Sequence, residues 1–232
     1  MKKIAVVLSC EHAVDTIPAE YQQAFKPFAS LLATHRGIDF GALDIAKCLQ
    51  QRLSCPLIRA QSSRLLIDCN RSLHNPDCFS EATKPFSEAD KQLIINQFYL
   101  PFRQEVTRQI QALLAQNNRV LHLSIHSFTP IMNSVERNAD IGFLYDPKRS
   151  LEQDIARQWK ANIKEITPNI RVRMNYPYLG ISDGFTSFLR KKFPVSDYQG
   201  IEVESNQRLT QDASILDALK LLLTDSLNKI VS

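Results

Sequence analysis

Lys2-Lys3-Ile4-Ala5-Val6-Val7-Leu8-Ser9 opens the chain and leads directly into Cys10-Glu11-His12. Its unbroken apolar part is rich in β-branched residues, which predicts a strand buried on both faces at the centre of a parallel or mixed sheet. Ligands of open α/β sheets bind beyond the carboxyl ends of the strands. The Cys-Glu-His cluster therefore lies where chemistry is expected, and His12 is the first candidate functional residue.

The composition indicates one globular domain with a small-molecule function. The 232 residues are 44% hydrophobic, enough for one sizeable core, so we expect a single domain over residues 1–232. The 28 basic and 24 acidic residues are spread without blocks of like charge, which favours a small anionic substrate over nucleic acid or a membrane. The five cysteines are scattered and form no C-x-x-C pair, as expected for a cytoplasmic protein with reduced thiols. We expect a monomer or a small homo-oligomer.

Strands and helices are predicted to alternate along the rest of the chain. Helices are predicted over about 20–32, 38–53, 87–116, 150–166, 185–191 and 210–231, and strands over 56–60, 64–67, 119–125, 140–145, 170–174 and 200–204. Asp39 would fall in the first turn of its helix, where carboxylates commonly cap free N–H groups. The alternation predicts a three-layer α/β fold, with a mostly parallel or mixed central sheet and helices on both faces.

Charged or metal-capable side chains follow four of the predicted strands. They are His12, the segment 68–71, His126, and the pair Glu202 and Glu204. Equivalent ends of parallel strands lie side by side, so these groups converge on one edge of the sheet if the strands run parallel. Any one of them alone has an ordinary structural explanation, as His122 inside its apolar strand illustrates.

Two histidines and a carboxylate are a usual set of ligands for a catalytic zinc ion. His12 and His126 supply the imidazoles, and Asp39 is the best-placed carboxylate. Glu11 and His35 are alternatives to Asp39 as the third ligand.

Arginines and glutamates supply the other candidates. Arg64 and Arg71 carry guanidinium groups suited to bidentate recognition of carboxylates, although pairing with Asp68 would explain them equally well. Glu202 and Glu204 lie on one face of their strand, because side chains repeat every second residue. A glutamate beside a metal site can act as general base and then as general acid.

Five segments in chain order resemble the N-formylglutamate amidohydrolase family. They are Ser9-Cys10-Glu11-His12-Ala13, Thr34-His35-Arg36-Gly37-Ile38-Asp39, Ser63-Arg64-Leu65-Leu66-Ile67-Asp68-Cys69-Asn70-Arg71, Leu123-Ser124-Ile125-His126-Ser127-Phe128-Thr129-Pro130 and Ile201-Glu202-Val203-Glu204. The family is similar in fold to zinc carboxypeptidases and aspartoacylase. The resemblance implies one zinc ion per chain held by His12, Asp39 and His126.

The resemblance also implies roles in binding and catalysis. Glu204 would be the general base with Glu202 as the alternative, and Arg71 would polarise the substrate carbonyl. The substrate-binding residues would be Arg64, Asn70, Arg71, Ser127, Tyr176 and Tyr178. The implied reaction is hydrolysis of an N-acyl amide on an acidic amino acid, so that N-formylglutamate gives formate and glutamate.

Three rival functions are compatible with the same residues. The first is a deacylase or carboxypeptidase acting on another N-acyl amino acid or peptide, and the second is a non-catalytic small-molecule-binding homologue. The third is a thiol hydrolase using Cys10, which is disfavoured because neighbouring residues on a strand point to opposite faces.

Overall fold

The computed structural model describes residues 2–231, which form a central six-stranded sheet between two layers of helices. The strands are β1 (Ile4–Cys10), β2 (Leu57–Arg59), β3 (Arg119–Phe128), β4 (Ile131–Met132), β5 (Val135–Glu136), β6 (Ile141–Leu144), β7 (Val172–Met174) and β8 (Tyr198–Asn206). The helices are α1 (Gln22–Phe25), α2 (Ala29–Leu32), α3 (Ala42–Leu53), α4 (Glu88–Ile94), α5 (Leu100–Ala115), α6 (Ser150–Ile166), α7 (Phe185–Lys192) and α8 (Ala213–Val231). The predicted three-layer α/β fold is confirmed.

The sheet has the strand order β2-β1-β3-β8-β6-β7. β2, β1, β3 and β8 run parallel, β6 is antiparallel to β8, and β7 is parallel to β6. β1 is buried from Val6 onward, but the prediction that it is central was wrong, because it lies next to the edge strand β2. β3 and β8 share the centre, and the parallel strands bring their carboxyl ends to one edge.

The two faces of the sheet carry separate hydrophobic cores. Leu8 and Cys10 belong to the core that packs against α3, α6 and α8, whereas Val7 belongs to the core under α5 and α7. This division follows from the alternation of side chains along β1. Within residues 2–231, no helix combines the length and apolarity needed to cross a bilayer.

The prediction of a strand over 64–67 was wrong, because this segment forms turns. Its backbone groups are satisfied outside the sheet, since the Ser80 hydroxyl donates to the carbonyl of Leu65 and the Thr83 hydroxyl donates to that of Leu66. Apolar residues here are buried against the loop of residues 72–86. The segment is apolar because its side chains are buried. It needs no partner strand, because hydroxyl groups of the loop bind its backbone carbonyls.

The long helix predicted over 87–116 is interrupted by a π-helical segment, Ile95–Tyr99, between α4 and α5. Pro101 lies just beyond this segment and lacks the N–H that a regular helix would use. The wider turn changes the direction in which its side chains point. Tyr99, at its end, reaches the loop at the carboxyl edge of the sheet, where its hydroxyl donates to the carbonyl of Arg71.

Candidate metal centre and its cavity

Strand register brings the sequence-predicted groups together at the carboxyl edge of the sheet. His126 of β3 pairs with Glu204 of β8, and Ser124 pairs with Glu202. His12 lies two residues beyond the end of β1, which pairs with the other side of β3. The expected convergence therefore occurs through three parallel strands.

Asp39 reaches the same place from a loop rather than from a helix. α3 begins at Ala42, so the prediction that Asp39 caps a helix from within its first turn was wrong. Gly41 adopts a left-handed φ of 75°, and a Cβ there would lie 2.5 Å from the Cβ of Thr210. This turn and a hydrogen bond of 3.1 Å, in which the Asp39 N–H donates to the carbonyl of His12, hold the Asp39 carboxylate at the strand ends.

His12, Asp39 and His126 form a compact buried cluster. Asp39 Oδ2 lies 3.2 Å from His12 Nδ1 and 2.9 Å from His126 Nδ1, and it accepts a hydrogen bond from the N–H of Ser127. One donor atom from each of the three residues lies within 4.8 Å of the others. Two imidazole nitrogens and a carboxylate oxygen are a donor set that fits zinc and leaves a position for water.

The second nitrogen of each histidine is held by a further group. His12 Nε2 lies 2.8 Å from Asp68 Oδ1. His126 Nε2 lies 2.8 Å from Ser124 Oγ and 3.4 Å from Glu11 Oε2. Such contacts fix the orientation of a metal-binding imidazole and raise its basicity.

The two alternative third ligands lie elsewhere. Glu11 is behind His126 and accepts hydrogen bonds from Ser9 and Ser124. His35 is exposed and lines the outer part of the cavity. The structure thus groups Asp39, and neither of these two, with the histidines.

The electrostatics of the cluster keep its carboxylates ionised. Burial alone would raise the pKa of Asp39, but the imidazoles of His12 and His126 lower it far below its usual value. Burial likewise opposes ionisation of Glu11, yet His126 lowers the Glu11 pKa to about 2. Opposite charges at short range outweigh the cost of burial in both cases.

The cluster lies at the base of a cavity of about 540 Å³. Its polar and charged lining residues include His12, Asp39, Arg64, Asp68, Asn70, Arg71, His126, Ser127, Glu202, Glu204 and Gln207. Its apolar and aromatic lining residues are Leu65, Phe79, Phe128, Met132, Tyr178 and Leu179. A lining of both kinds suits a small charged molecule with a carbon skeleton.

Glu202 and Glu204 differ in how they are held. The hydroxyl of Thr186 donates to Glu202 Oε1 at 2.5 Å. Glu204 Oε2 is buried and has no hydrogen-bond partner within residues 2–231. Burial raises the pKa of Glu204 to about 7, helped by the charges of Asp39 and Glu202 and opposed by His126. Glu204 is therefore the carboxylate that can exchange a proton near neutral pH.

Arg64 and Arg71 also differ. Arg64 is bound by carboxylates, with Nη2 2.6 Å from Asp68 Oδ2 and Nη1 3.6 Å from Asp39 Oδ1. Arg71 donates only to a backbone carbonyl, that of Asp183, and none of the ion pairs within residues 2–231 involves it. Of these two arginines of the cavity lining, Arg71 is the one whose guanidinium has no carboxylate partner within residues 2–231.

The remaining predicted binding residues are divided between two places. Asn70, Ser127 and Tyr178 line the cavity, and Asn70 Oδ1 accepts the N–H of Phe185 at the start of α7. Tyr176 is not among the lining residues, because its ring lies against the guanidinium of Arg173, 4.2 Å from ring centre to Cζ. The Tyr176–Pro177 peptide bond, which lies between the two tyrosines, is cis.

The thiol of Cys10 is separated from this site. Its side chain belongs to the core on the α3 side of the sheet and is fully buried. Burial raises the pKa of Cys10 well above its usual value, and the charges of Glu11 and Asp39 add to the effect. The thiolate needed by a thiol hydrolase is therefore disfavoured.

Sequence reasoning missed the residues that support the loop of Asn70 and Arg71. Arg103 of α5 donates to the carbonyls of Cys69 and Arg71, and the Tyr99 hydroxyl donates to that of Arg71. A signal was present, since Arg103 lies beside Phe102 and three residues before Val106 on what reads as the buried face of the helix. A charged residue on such a face indicates a specific partner.

A known protein family matches most of the chain. The family model described as N-formylglutamate amidohydrolase matches residues 4–210. Among curated proteins, none matches the chain.

Two solved structures cover the whole chain. A gene product of Agrobacterium tumefaciens is 29% identical, with a TM-score of 0.81 over 100% of this chain and 93% of its own. An N-formylglutamate amidohydrolase from Ralstonia eutropha JMP134 is 17% identical, with a TM-score of 0.72 over 100% of this chain and 94% of its own. At that identity, the second similarity shows the fold.

Proposed function

Because the chain belongs to the N-formylglutamate amidohydrolase family, we propose that it is a zinc-dependent hydrolase that removes an N-formyl group from glutamate or a similar acidic amino acid. One observation carries the proposal. A His-Asp-His donor set, an unpaired glutamate with a pKa of about 7 and a free arginine all line one cavity.

His12, Asp39 and His126 are the residues that would hold zinc. When bound, the ion supplies Lewis acidity, which polarises an acyl carbonyl and lowers the pKa of a water molecule. Asp68 and Glu11 would keep the two imidazoles correctly oriented through their second nitrogens.

Glu204 is proposed as the group that moves protons. It takes a proton from the attacking water and later delivers it to the leaving nitrogen, as the new C–O bond forms and the amide C–N bond breaks. A pKa of about 7 suits both directions of transfer near neutral pH. Glu202 is less suited, because Thr186 already donates to it.

Arg71 and Asn70 are proposed to hold the α-carboxylate of the substrate. The Arg71 guanidinium has no carboxylate partner within residues 2–231, so it can form a bidentate pair with the substrate. The same positive charge would stabilise the negative charge that develops on the acyl oxygen. Ser127 and Tyr178, which also line the cavity, would contact the rest of the substrate.

The test is formate release from N-formylglutamate, measured on protein purified without chelator, after chelation, and after zinc is restored. We expect about one zinc per chain, loss of activity with the metal, and recovery when zinc is added. N-acetylglutamate and a peptide with a C-terminal glutamate separate the deformylase from the deacylase and carboxypeptidase alternatives. A protein that takes up no zinc and releases no formate would exclude the proposed function.

A further inference from the structure

The lining of the cavity includes a glutamine, Gln207, which directly follows β8. Its side-chain Nε2 donates to the hydroxyl of Ser127 at 3.2 Å. Ser127 comes directly after His126, and its N–H donates to Asp39 Oδ2. The amide group of Gln207 is therefore held one residue away from the metal cluster.

The oxygen of this side-chain amide is free to accept a hydrogen bond from a ligand. Gln207 Oε1 accepts none within residues 2–231, and it is not among the fully buried side-chain atoms of that range that lack a partner. Because Gln207 lines the cavity, a ligand in the cavity can reach this oxygen. An amide fixed through its nitrogen also presents its oxygen in a fixed direction. The cavity thus contains one preoriented, uncharged acceptor.

The other acceptors close to the metal cluster are already occupied. Asp39 and Asp68 contact the two histidines. Asn70 Oδ1 accepts a backbone N–H, and Glu202 accepts a hydroxyl hydrogen. Glu204 has a free oxygen, but it is the group proposed to deliver a proton to the leaving nitrogen.

An N-acyl acidic amino acid has one group that can donate to this oxygen. Near neutral pH its carboxylates and its acyl oxygen only accept hydrogen bonds, so the amide N–H is the donor that remains. When the C–N bond breaks, the nitrogen must take up a proton on its lone pair. A nitrogen whose N–H is held by Gln207 keeps that lone pair available for the proton from Glu204.

We propose that Gln207 binds the amide N–H of the substrate and thereby makes the enzyme prefer amides to esters. Ser127 holds the side-chain amide of Gln207 in place for this contact. The assignment rests on the proposed function and adds a recognition element for the bond that is cleaved. An uncharged acceptor suits this position, because it neither binds a proton near neutral pH nor pairs with the arginines of the lining.

The turnover test compares N-formylglutamate with its ester isostere, in which an oxygen atom replaces the amide N–H. Both compounds release formate, so one assay measures both, with the spontaneous hydrolysis of the ester subtracted. In Gln207→Met we expect the ratio of kcat/KM for the amide to kcat/KM for the ester to fall about 10-fold, because only the amide loses a hydrogen bond. Gln199→Met is the matched control, since Gln199 is a buried glutamine of β8 that does not line the cavity.

A second variant, Ser127→Ala, removes the hydroxyl that fixes the amide of Gln207. The same ratio should fall about threefold in this variant, because the amide can then rotate. Zinc content near that of the parent shows that each variant keeps its site. Equal losses on amide and ester in Gln207→Met, or no loss on either, would overturn the proposal. If Gln207→Met does not fold, an unchanged ratio in Ser127→Ala overturns it.

A binding test separates this contact from the proposed function. Calorimetry is done in the Glu204→Gln background, where turnover is slow, and we expect N-formylglutamate to bind about 10-fold tighter than the ester. Adding Gln207→Met should remove this preference. If the parent releases no formate but the preference and its loss are found, the hydrolase function fails and the contact stands. If formate is released but the amide is not preferred, or if neither compound binds, the assignment of Gln207 fails.

Discussion

His122 and His126 lie four residues apart on β3, and both are buried, yet their surroundings are opposite in character. His122 contacts two hydroxyls, Ser9 Oγ and Tyr198 Oη, each at 2.8 Å. Burial lowers the pKa of His122 to about 4. For His126, burial acts in the same direction, but Asp39 and Glu11 raise its pKa well above the usual value.

The difference shows that the pKa of a buried histidine depends on its partners from other segments and not on the strand that carries it. Hydroxyl partners leave His122 as a neutral, packed residue. Carboxylates on both nitrogens make His126 part of a charged cluster that can hold a cation. Four variants test this contrast, in order of decreasing expected effect on the site.

Replacing His126 should have the largest effect. In His126→Ala we expect bound zinc to fall from about one per chain to near zero, because one of three ligands is lost. Formate release should fall about a thousandfold or more. Metal analysis and single-time-point formate assays measure both quantities. His122→Gln is the control, and loss of zinc from this variant as well would contradict the contrast.

The contrast extends to β8, where Glu204 pairs with His126 and Glu202 with Ser124. Glu204→Gln should keep its zinc and lose about 10²- to 10⁴-fold in kcat, since the proton-transferring carboxylate is removed. Glu202→Gln should retain most activity, because Glu202 is occupied by Thr186. Steady-state kinetics at saturating zinc compare the two. The reverse order of effects would make Glu202 the base.

The carboxylate behind His126 should have a smaller effect on metal binding. Glu11→Gln removes a negative charge 3.4 Å from His126 Nε2 while keeping a similar shape. We expect zinc affinity to fall about 10- to 100-fold, as measured by competition with a chelator. Glu105→Gln, on the solvent side of α5, is a matched control that should leave the affinity unchanged. An unaltered affinity in Glu11→Gln would show that Ser124 alone orients the ring.

His122 should affect stability and its pH dependence rather than zinc. Its pKa is about 4 in the folded chain and about 6.5 when unfolded, so between these values the unfolded state binds the extra proton. The contribution of neutral His122 to the free energy of unfolding is present above about pH 6.5 and is lost as the pH falls toward 4. Metal-free parent should therefore lose about 2 kcal/mol relative to His122→Gln between pH 7 and pH 5, measured by urea unfolding. A constant difference would show that the pKa of His122 is the same in the folded and the unfolded chain.

Much of the site can be predicted from the sequence because it depends on strand ends. His12, His126 and Glu204 follow or end apolar runs, and parallel pairing alone places them together. Asp39 lies at the same sheet edge but in a loop and not in the predicted helix, because the chain turns at Gly41, where it passes too close to Thr210 for a side chain to fit. A tertiary contact of this kind leaves no local signal.

The sequence was less informative about arginines. In the sequence, Arg64 and Arg71 look equivalent, because they flank the same short apolar segment. In the structure, Arg64 forms ion pairs with Asp68 and Asp39, whereas Arg71 has no carboxylate partner within residues 2–231. Which cation is already neutralised depends on long-range packing, and a single sequence does not display it.

The hairpin of β4 and β5 contributes Met132 to the cavity lining and lies outside the main sheet. Among residues 2–231 its two strands pair with no other strand, and its turn residues Asn133 and Ser134 adopt left-handed conformations. A one-residue slip in β3 would turn His126 to the opposite face of the sheet, whereas the hairpin can lengthen or shorten without altering any strand register. Changes in this hairpin can therefore reshape part of the cavity wall without moving the residues of the metal cluster.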